Sequence, residues 1–307
     1  MEKCSDGFYQ SGKESVLGIY STMDGKVEFV CFENRTLAYV KSAMGYPAYY
    51  PLKEIKIEKP IQAVLMDLDG TTVHSENFWM WIIQLTVASL LDNKNFELED
   101  EDISFVSGHS VSEHLQYCIG KYCPDKTVEQ ARSFYVEHTR RQMQAILDGT
   151  GRMDAFTPSP GIKEFLLQLK ALNIKIGLVT SGLYEKAYPE ILSAFRQLNM
   201  GNPEDFYDAI ITAGFLVGKG QVGTLGELSP KPHPWLYAEA ARVGLGIQVC
   251  DRHHVVGIED SGAGICAICL AGFAPIGIAG GNIIQSGTGC LCKQQSQSFS
   301  EIIDFLK

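Results

Sequence analysis

The stretch that most limits what this chain can fold into is Ile61-Gln62-Ala63-Val64-Leu65-Met66-Asp67-Leu68-Asp69-Gly70-Thr71-Thr72-Val73-His74-Ser75. Five of its first six residues are apolar. That run is too short for a typical helix and rich in branched side chains, so it predicts a strand buried on both faces. Two carboxylates, a glycine and two threonines then follow, at the edge where open α/β sheets bind ligands. On an extended backbone Asp67 and Asp69 point the same way, so unless a turn separates them their charges repel and something positive should lie between. A divalent cation is the simplest candidate. A helix-loop-helix calcium site would need more oxygen ligands and a Glu about twelve residues from its start, and Asn77 and Phe78 do not supply these.

The 307 residues exceed a usual single core, which predicts one large domain with an insertion or two to three smaller units. With 45% hydrophobic and 20% charged residues, the composition is that of an ordinary globular protein. A net charge of −10 argues against a nucleic-acid-binding surface. No apolar run approaches the roughly eighteen residues of a membrane span, and Met1-Glu2-Lys3-Cys4-Ser5-Asp6 lacks the apolar core of a secretory signal. Nine cysteines, an odd number and widely scattered, fit a reducing cytoplasm better than a disulfide scaffold.

Residues 1–60 read as a small antiparallel β unit. Strands at 15–22 and 26–32 flank the Asp24-Gly25 turn, and a third strand lies at 36–40, ahead of an aromatic, proline-containing stretch. No chemistry is concentrated there, and packing or oligomerisation is its expected role. After Ser75 the pattern becomes helical, with apolar positions spaced for helices at 78–91 and 127–147 and an acidic linker at 97–102. No strand is expected between 75 and 158. Pro158-Ser159-Pro160-Gly161 marks the return to an amphipathic helix at 162–172.

Three more apolar runs then end in polar groups or lie close to them. The run 174–179 leads into Thr180-Ser181-Gly182, which can either cap a helix or offer hydroxyls and backbone N–H groups to an anion. The run 206–212 precedes a Gly-rich loop at 214–227, read as a hairpin or a flap. Beyond it Lys231 sits between Pro230 and Pro232, as a surface lysine or a stiffly held counter-charge. The run 254–258 ends in Glu259-Asp260-Ser261-Gly262-Ala263-Gly264. A fifth strand at 274–279 and a closing helix at 299–306 complete the pattern. Cys266, Cys269, Cys290 and Cys292 admit a four-thiolate zinc site, but small apolar cysteines on a buried helix are the expected reading.

In order and spacing, Asp67-Leu68-Asp69-Gly70-Thr71, Val179-Thr180-Ser181-Gly182, Lys231-Pro232 and Gly257-Ile258-Glu259-Asp260-Ser261 with Ala263-Gly264 resemble the four motifs of the haloacid dehalogenase superfamily. The chain is most similar to the branch holding β-phosphoglucomutases and small-molecule phosphatases, over residues 61–280. The resemblance implies a Rossmann-like three-layer core with a parallel sheet (61–74 and 158–307) and an inserted all-helical cap (75–157), with the β unit outside it.

It also implies roles. Asp67 would be the nucleophile on phosphorus, and Asp69 the acid that protonates the leaving oxygen and then takes a proton from water. Mg2+ would be held by Asp67, the backbone carbonyl of Asp69 and Asp260, with Glu259 a ligand or an outer acceptor. Thr180, Ser181 and Gly182 would hold the phosphoryl oxygens, and Lys231 would offset charge on phosphate and nucleophile. Dehalogenases of the superfamily lack the second aspartate, so Asp69 favours phosphoryl transfer. Trp79 and Val111 stand where β-phosphoglucomutases carry a His and an Arg, which weakens the mutase reading. His109 is the cap residue expected to face substrate. The expectation is a Mg2+-dependent phosphatase for a small phosphorylated metabolite, with no nucleic-acid or membrane partner. The alternatives are a sugar-phosphate mutase and a non-catalytic phospholigand-binding module. Oligomeric state is not legible.

Overall fold

The computed structural model describes residues 2–3, 9–10, 15–41, 46–102, 111–152, 154–214 and 228–307. Apart from two-residue strands, the strands among the described residues are β1 (Val16–Ser21), β2 (Val27–Phe32), β3 (Thr36–Val40), β4 (Ala48–Leu52), β5 (Ala63–Asp67), β6 (Lys175–Val179), β7 (Ala209–Ile211), β8 (Val255–Glu259), β9 (Ala274–Ile278) and β10 (Gln294–Ser296). The longer α-helices among the described residues are α1 (Glu76–Leu90), α2 (Val111–Tyr122), α3 (Val128–Leu147), α4 (Ile162–Ala171), α5 (Tyr184–Leu198), α6 (Trp235–Glu239), α7 (Gly262–Ala271) and α8 (Phe299–Leu306). By contacts the chain divides into one unit of residues 1–67, 161–181 and 207–307 and a second of 68–160 and 182–206.

In the first unit, six strands form an all-parallel sheet in the order β7-β6-β5-β8-β9-β10. All five residues of β5, β8 and β9 are buried, as a strand covered on both faces requires. Alternation sends Ala63 and Leu65 to one side, into a cluster with Leu236, Tyr237, Ala240 and Ile268. Elsewhere in the unit α4 and α8 meet through Phe165 and Phe299, whose rings lie 4.9 Å apart. Register puts Val179 opposite Asp67 and Ile258 opposite Met66, so Asp67, Thr180 and Glu259 reach one sheet edge.

The same unit carries the antiparallel sheet β1-β2-β3-β4. The sequence pattern yields three of its strands. The fourth, β4, is hidden by Pro47 and Pro51, residues that ordinarily mark a strand's edge or end. Val27, Ala38 and Val40 pack on Cys266 and Leu270 of α7, with Phe29, Tyr50 and Leu52 against them. The short outer strand β10 is likewise absent from the apolar pattern, because Gln294-Gln295-Ser296 is polar.

The second unit is built from α1, α2, α3 and α5. Its helices are fixed locally by a capping box at Thr127 and Gln130 and by the Arg196 guanidinium, which donates to the carbonyls of Ile146 and Leu147. The expectation of no strand before residue 158 meets one exception, because Val73–His74 pairs with Thr157–Pro158. Among the described residues no helix is long and apolar enough to cross a membrane. The Gly-rich loop at 215–227 and His109 lie outside the described residues.

Candidate active site

Asp67 ends β5, and Glu259 and Asp260 end and follow β8. Their candidate ligand atoms lie within 4.8 Å of one another, and all three side chains are buried. Among the described residues this is the one such group of His, Cys, Asp and Glu side chains. The thiols of Cys266, Cys269, Cys290 and Cys292 form no such group. Cys266 and Cys269 are buried on α7, and burial pushes the Cys269 thiol up to about 12.

Lys231 is brought to the acids by the segment between β7 and α6. Its side chain is only 8% exposed, and its ammonium bonds Asp67 and lies 2.6 Å from Glu259 Oε1. The Lys231 backbone N–H donates to Ser181 Oγ at 3.1 Å, so the strand end after β6 and the lysine segment hold each other. Thr180 is buried there, its backbone N–H donating to the Ile211 carbonyl at 3.0 Å.

Glu259 is engaged through both carboxylate oxygens. Oε1 accepts from Lys231 and from the Tyr237 hydroxyl at 2.7 Å, and Oε2 accepts from the Ser261 hydroxyl at 2.8 Å and its backbone N–H at 3.2 Å. Four donors match the four lone-pair directions of a carboxylate. Gly264 permits this, since a Cβ there would stand 1.8 Å from the Glu259 carboxyl carbon. Asp260 is bounded in the same way by Gly281, whose Cβ would fall 2.3 Å from its Oδ2. Asn282, the next residue, accepts the Gly262 N–H at 2.8 Å.

Among the described residues, three carboxylates gather at this buried edge, and the Lys231 ammonium bonds two of them, Asp67 and Glu259. Burial, with the Glu259 charge behind it, holds the Asp67 carboxyl well above the usual carboxylate range, and Lys231 works against both. For Lys231 burial pulls the ammonium down, but Asp67 and Glu259 outweigh it and its pKa is raised. Burial and the Glu259 charge raise the Tyr237 phenol well above its ordinary value. A buried cluster of three carboxylates, with oxygen-only donors close together, fits a hard divalent cation such as Mg2+.

Asp69 and Gly182 belong to the second unit, where Asp69 Oδ1 accepts from the Ser75 hydroxyl at 2.7 Å. Asp69 also bridges to Val73, in a turn closed by the Gly70 N–H on the Val73 carbonyl at 2.8 Å. In the same unit the Lys186 ammonium lies 4.5 Å from the centroid of the Trp79 ring and 3.9 Å from the wholly buried Glu190. Tyr237, Gly281 and Asn282 escape sequence reasoning. Tyr237 looks like one more core position of an amphipathic helix, and the other two act only through a tertiary contact.

The motifs, their strand-end placement and the match of residues 61–272 to the haloacid dehalogenase-like hydrolase family decide the assignment. The chain belongs to the haloacid dehalogenase-like hydrolase family. No curated protein matches it. Its fold is similar to that of a predicted phosphoglycolate phosphatase from Haemophilus somnus (17% identity, TM-score 0.58, covering 81% of this chain and 99% of that one). A protein from Thermotoga maritima assigned as a β-phosphoglucomutase is 21% identical with TM-score 0.54, covering 80% of this chain and 98% of its own. CbbY from Rhodobacter sphaeroides, solved in complex with phosphate, is 20% identical with TM-score 0.51, covering 79% and 96% respectively. At these identities the likeness is one of fold.

Proposed function

We propose that this hydrolase is a Mg2+-dependent phosphatase that releases phosphate from a small phosphorylated metabolite through an aspartyl-phosphate on Asp67. The observation that carries the reading is the buried edge where Asp67, Glu259 and Asp260 gather and Lys231 bonds Asp67 and Glu259. Asp67, Asp260 and the backbone carbonyl of Asp69 would hold Mg2+. When bound, the ion would screen the carboxylates and neutralise charge on the transferring phosphoryl group. Glu259 fits an anchoring role better than ligation, because its lone pairs are engaged by Lys231, Tyr237 and Ser261.

Asp67 attacks phosphorus in line, and the bond to the leaving oxygen breaks as Asp69 protonates that oxygen. Asp69, now a carboxylate, takes a proton from water, whose oxygen attacks the aspartyl-phosphate and regenerates Asp67 with release of phosphate. Thr180, Ser181 and Gly182 hold phosphoryl oxygens through hydroxyl and N–H donors. Lys231 favours the ionised form of Asp67 against burial, orients it, and offsets charge on the equatorial oxygens. The Asp69 bond to Ser75 keeps the acid's carboxyl in one rotamer. Phosphate bound to CbbY and the activity assigned to the Haemophilus protein support a phosphorylated substrate, and His109 is the cap residue proposed to meet it.

A phosphate-release screen over sugar phosphates, nucleotides and phosphoglycolate, with and without Mg2+, tests the reading. The expected result is Mg2+-dependent release that falls more than about a thousandfold in Asp67→Asn. Conversion of a hexose 1-phosphate to the 6-phosphate without net release would replace the phosphatase by a mutase. Function surviving Asp67→Asn would point to a binding module.

A further inference from the structure

We propose that Tyr50, in the antiparallel sheet outside the family-matched region, is a positioning residue for Lys231, so that this sheet is a working part of the catalytic apparatus. The inference rests on the phosphatase reading for its kinetic readout, though not for its spectroscopic one.

The contact begins with register. Tyr50 pairs with Ala38, whose side chain packs toward α7, so Tyr50 points to that side as well. From there its hydroxyl reaches His233 Nδ1 at 2.8 Å. Its ring stands edge-on to His233 and to Trp235, with centroids 5.8 and 5.9 Å away. The His233 side chain is buried, and among the described residues its Nε2 finds no hydrogen-bond partner. Tyr50 therefore supplies the hydrogen bond of that imidazole, and a buried ring deprived of it has reason to move.

What lies between His233 and Lys231 makes such a movement consequential. The segment is Pro230-Lys231-Pro232-His233-Pro234, and each proline fixes its own φ and restricts the residue before it. The His233 N–H donates to the Pro230 carbonyl at 3.1 Å, which closes the segment into a turn. A displaced His233 ring is thus passed to Lys231 instead of being absorbed by a slack loop. The lysine has no room to compensate. Its backbone is tied to Ser181, and its buried ammonium must meet Asp67 and Glu259 together. The apolar cluster under the sheet explains why the sheet is there, but not why a hydroxyl is aimed at the one histidine in this turn.

The test is Tyr50→Phe in the full chain, which keeps the ring and its packing and removes only the hydroxyl. With p-nitrophenyl phosphate and Mg2+ we expect kcat to fall about tenfold while KM stays within about twofold, the signature of a misplaced transition-state group. In a Lys231→Met background the same change should lower the residual rate no further. The second readout is the 15N–1H resonance of the Lys231 ammonium, assigned by its loss in Lys231→Met, which Tyr50→Phe should shift or broaden. Tyr39→Phe is the control, since that ring stacks on Tyr49 at 4.6 Å in the same sheet, and it should leave both readouts unchanged. Unchanged turnover and an unchanged Lys231 resonance in Tyr50→Phe would overturn the inference. So would a rate loss that persists in full without Lys231. If the wild-type protein releases no phosphate at all, the phosphatase reading fails, and the Lys231 resonance alone still decides the role of Tyr50.

Discussion

The two sheets of the first unit solve the problem of burial in opposite ways. Every residue of β5, β8 and β9 is buried, whereas five of the six residues of β1 are exposed. On the outward face of the antiparallel sheet, Ile19, Val30, Leu37 and Pro51 stand opposite one another across all four strands. The parallel sheet hides its backbone between layers and leaves only its strand ends for chemistry, where a carboxylate's surroundings are dry and fixed. The antiparallel sheet has one packed face, so its contribution to the site can come only through a side chain that reaches beyond it, and Tyr50 is that side chain.

The sharpest way to break this contrast is stability. Leu65→Ala should cost about 2–5 kcal/mol in urea unfolding, the range for a large side chain removed from a packed interior. Leu17→Ala, at a position 68% exposed, should stay within about 0.5 kcal/mol. Equal costs would mean that the antiparallel sheet is buried in solution. A smaller effect, on the acidic edge itself, is expected from Gly264→Ala. Its methyl group would overlap the Glu259 carboxylate, so stability should drop by about 1–3 kcal/mol and turnover should fall with it. A variant with full activity would show that α7 can withdraw from Glu259.

The mildest test is pH. A carboxyl whose pKa is raised on folding binds more protons in the native state, so the metal-free protein should lose stability as pH rises from the ordinary carboxylate range through the raised Asp67 value. Thermal melts with and without Mg2+ should diverge in that direction, with the metal's stabilisation larger at neutral than at acid pH. Stabilisation independent of pH would separate metal binding from Asp67.

The sequence made the parallel core legible because burial on both faces leaves an unbroken apolar run, as in 63–66 and 255–258, and because both of these runs stop at a carboxylate. It concealed β10, whose short polar edge strand needs little burial, and β4, whose prolines argue against a strand although Pro51 sits within the paired register of an edge. Asp67, Lys231, Glu259 and Asp260 were legible as a set through their motifs. Tyr237 and Gly281 were not, since a buried phenol on a helix and a glycine in a loop acquire meaning only from the carboxylates they meet in space.

Ser261 ties two obligations to one oxygen: it accepts the Gly264 N–H that begins α7 and donates to Glu259. Of the residues that usually start a helix, aspartate is thereby ruled out, having lone pairs for the amide but no proton for the glutamate and a charge the neighbourhood already has in excess. The vocabulary available to that position is set by the acid beside it, and any drift in the first turn of the helix is felt at once by the group that steadies the lysine.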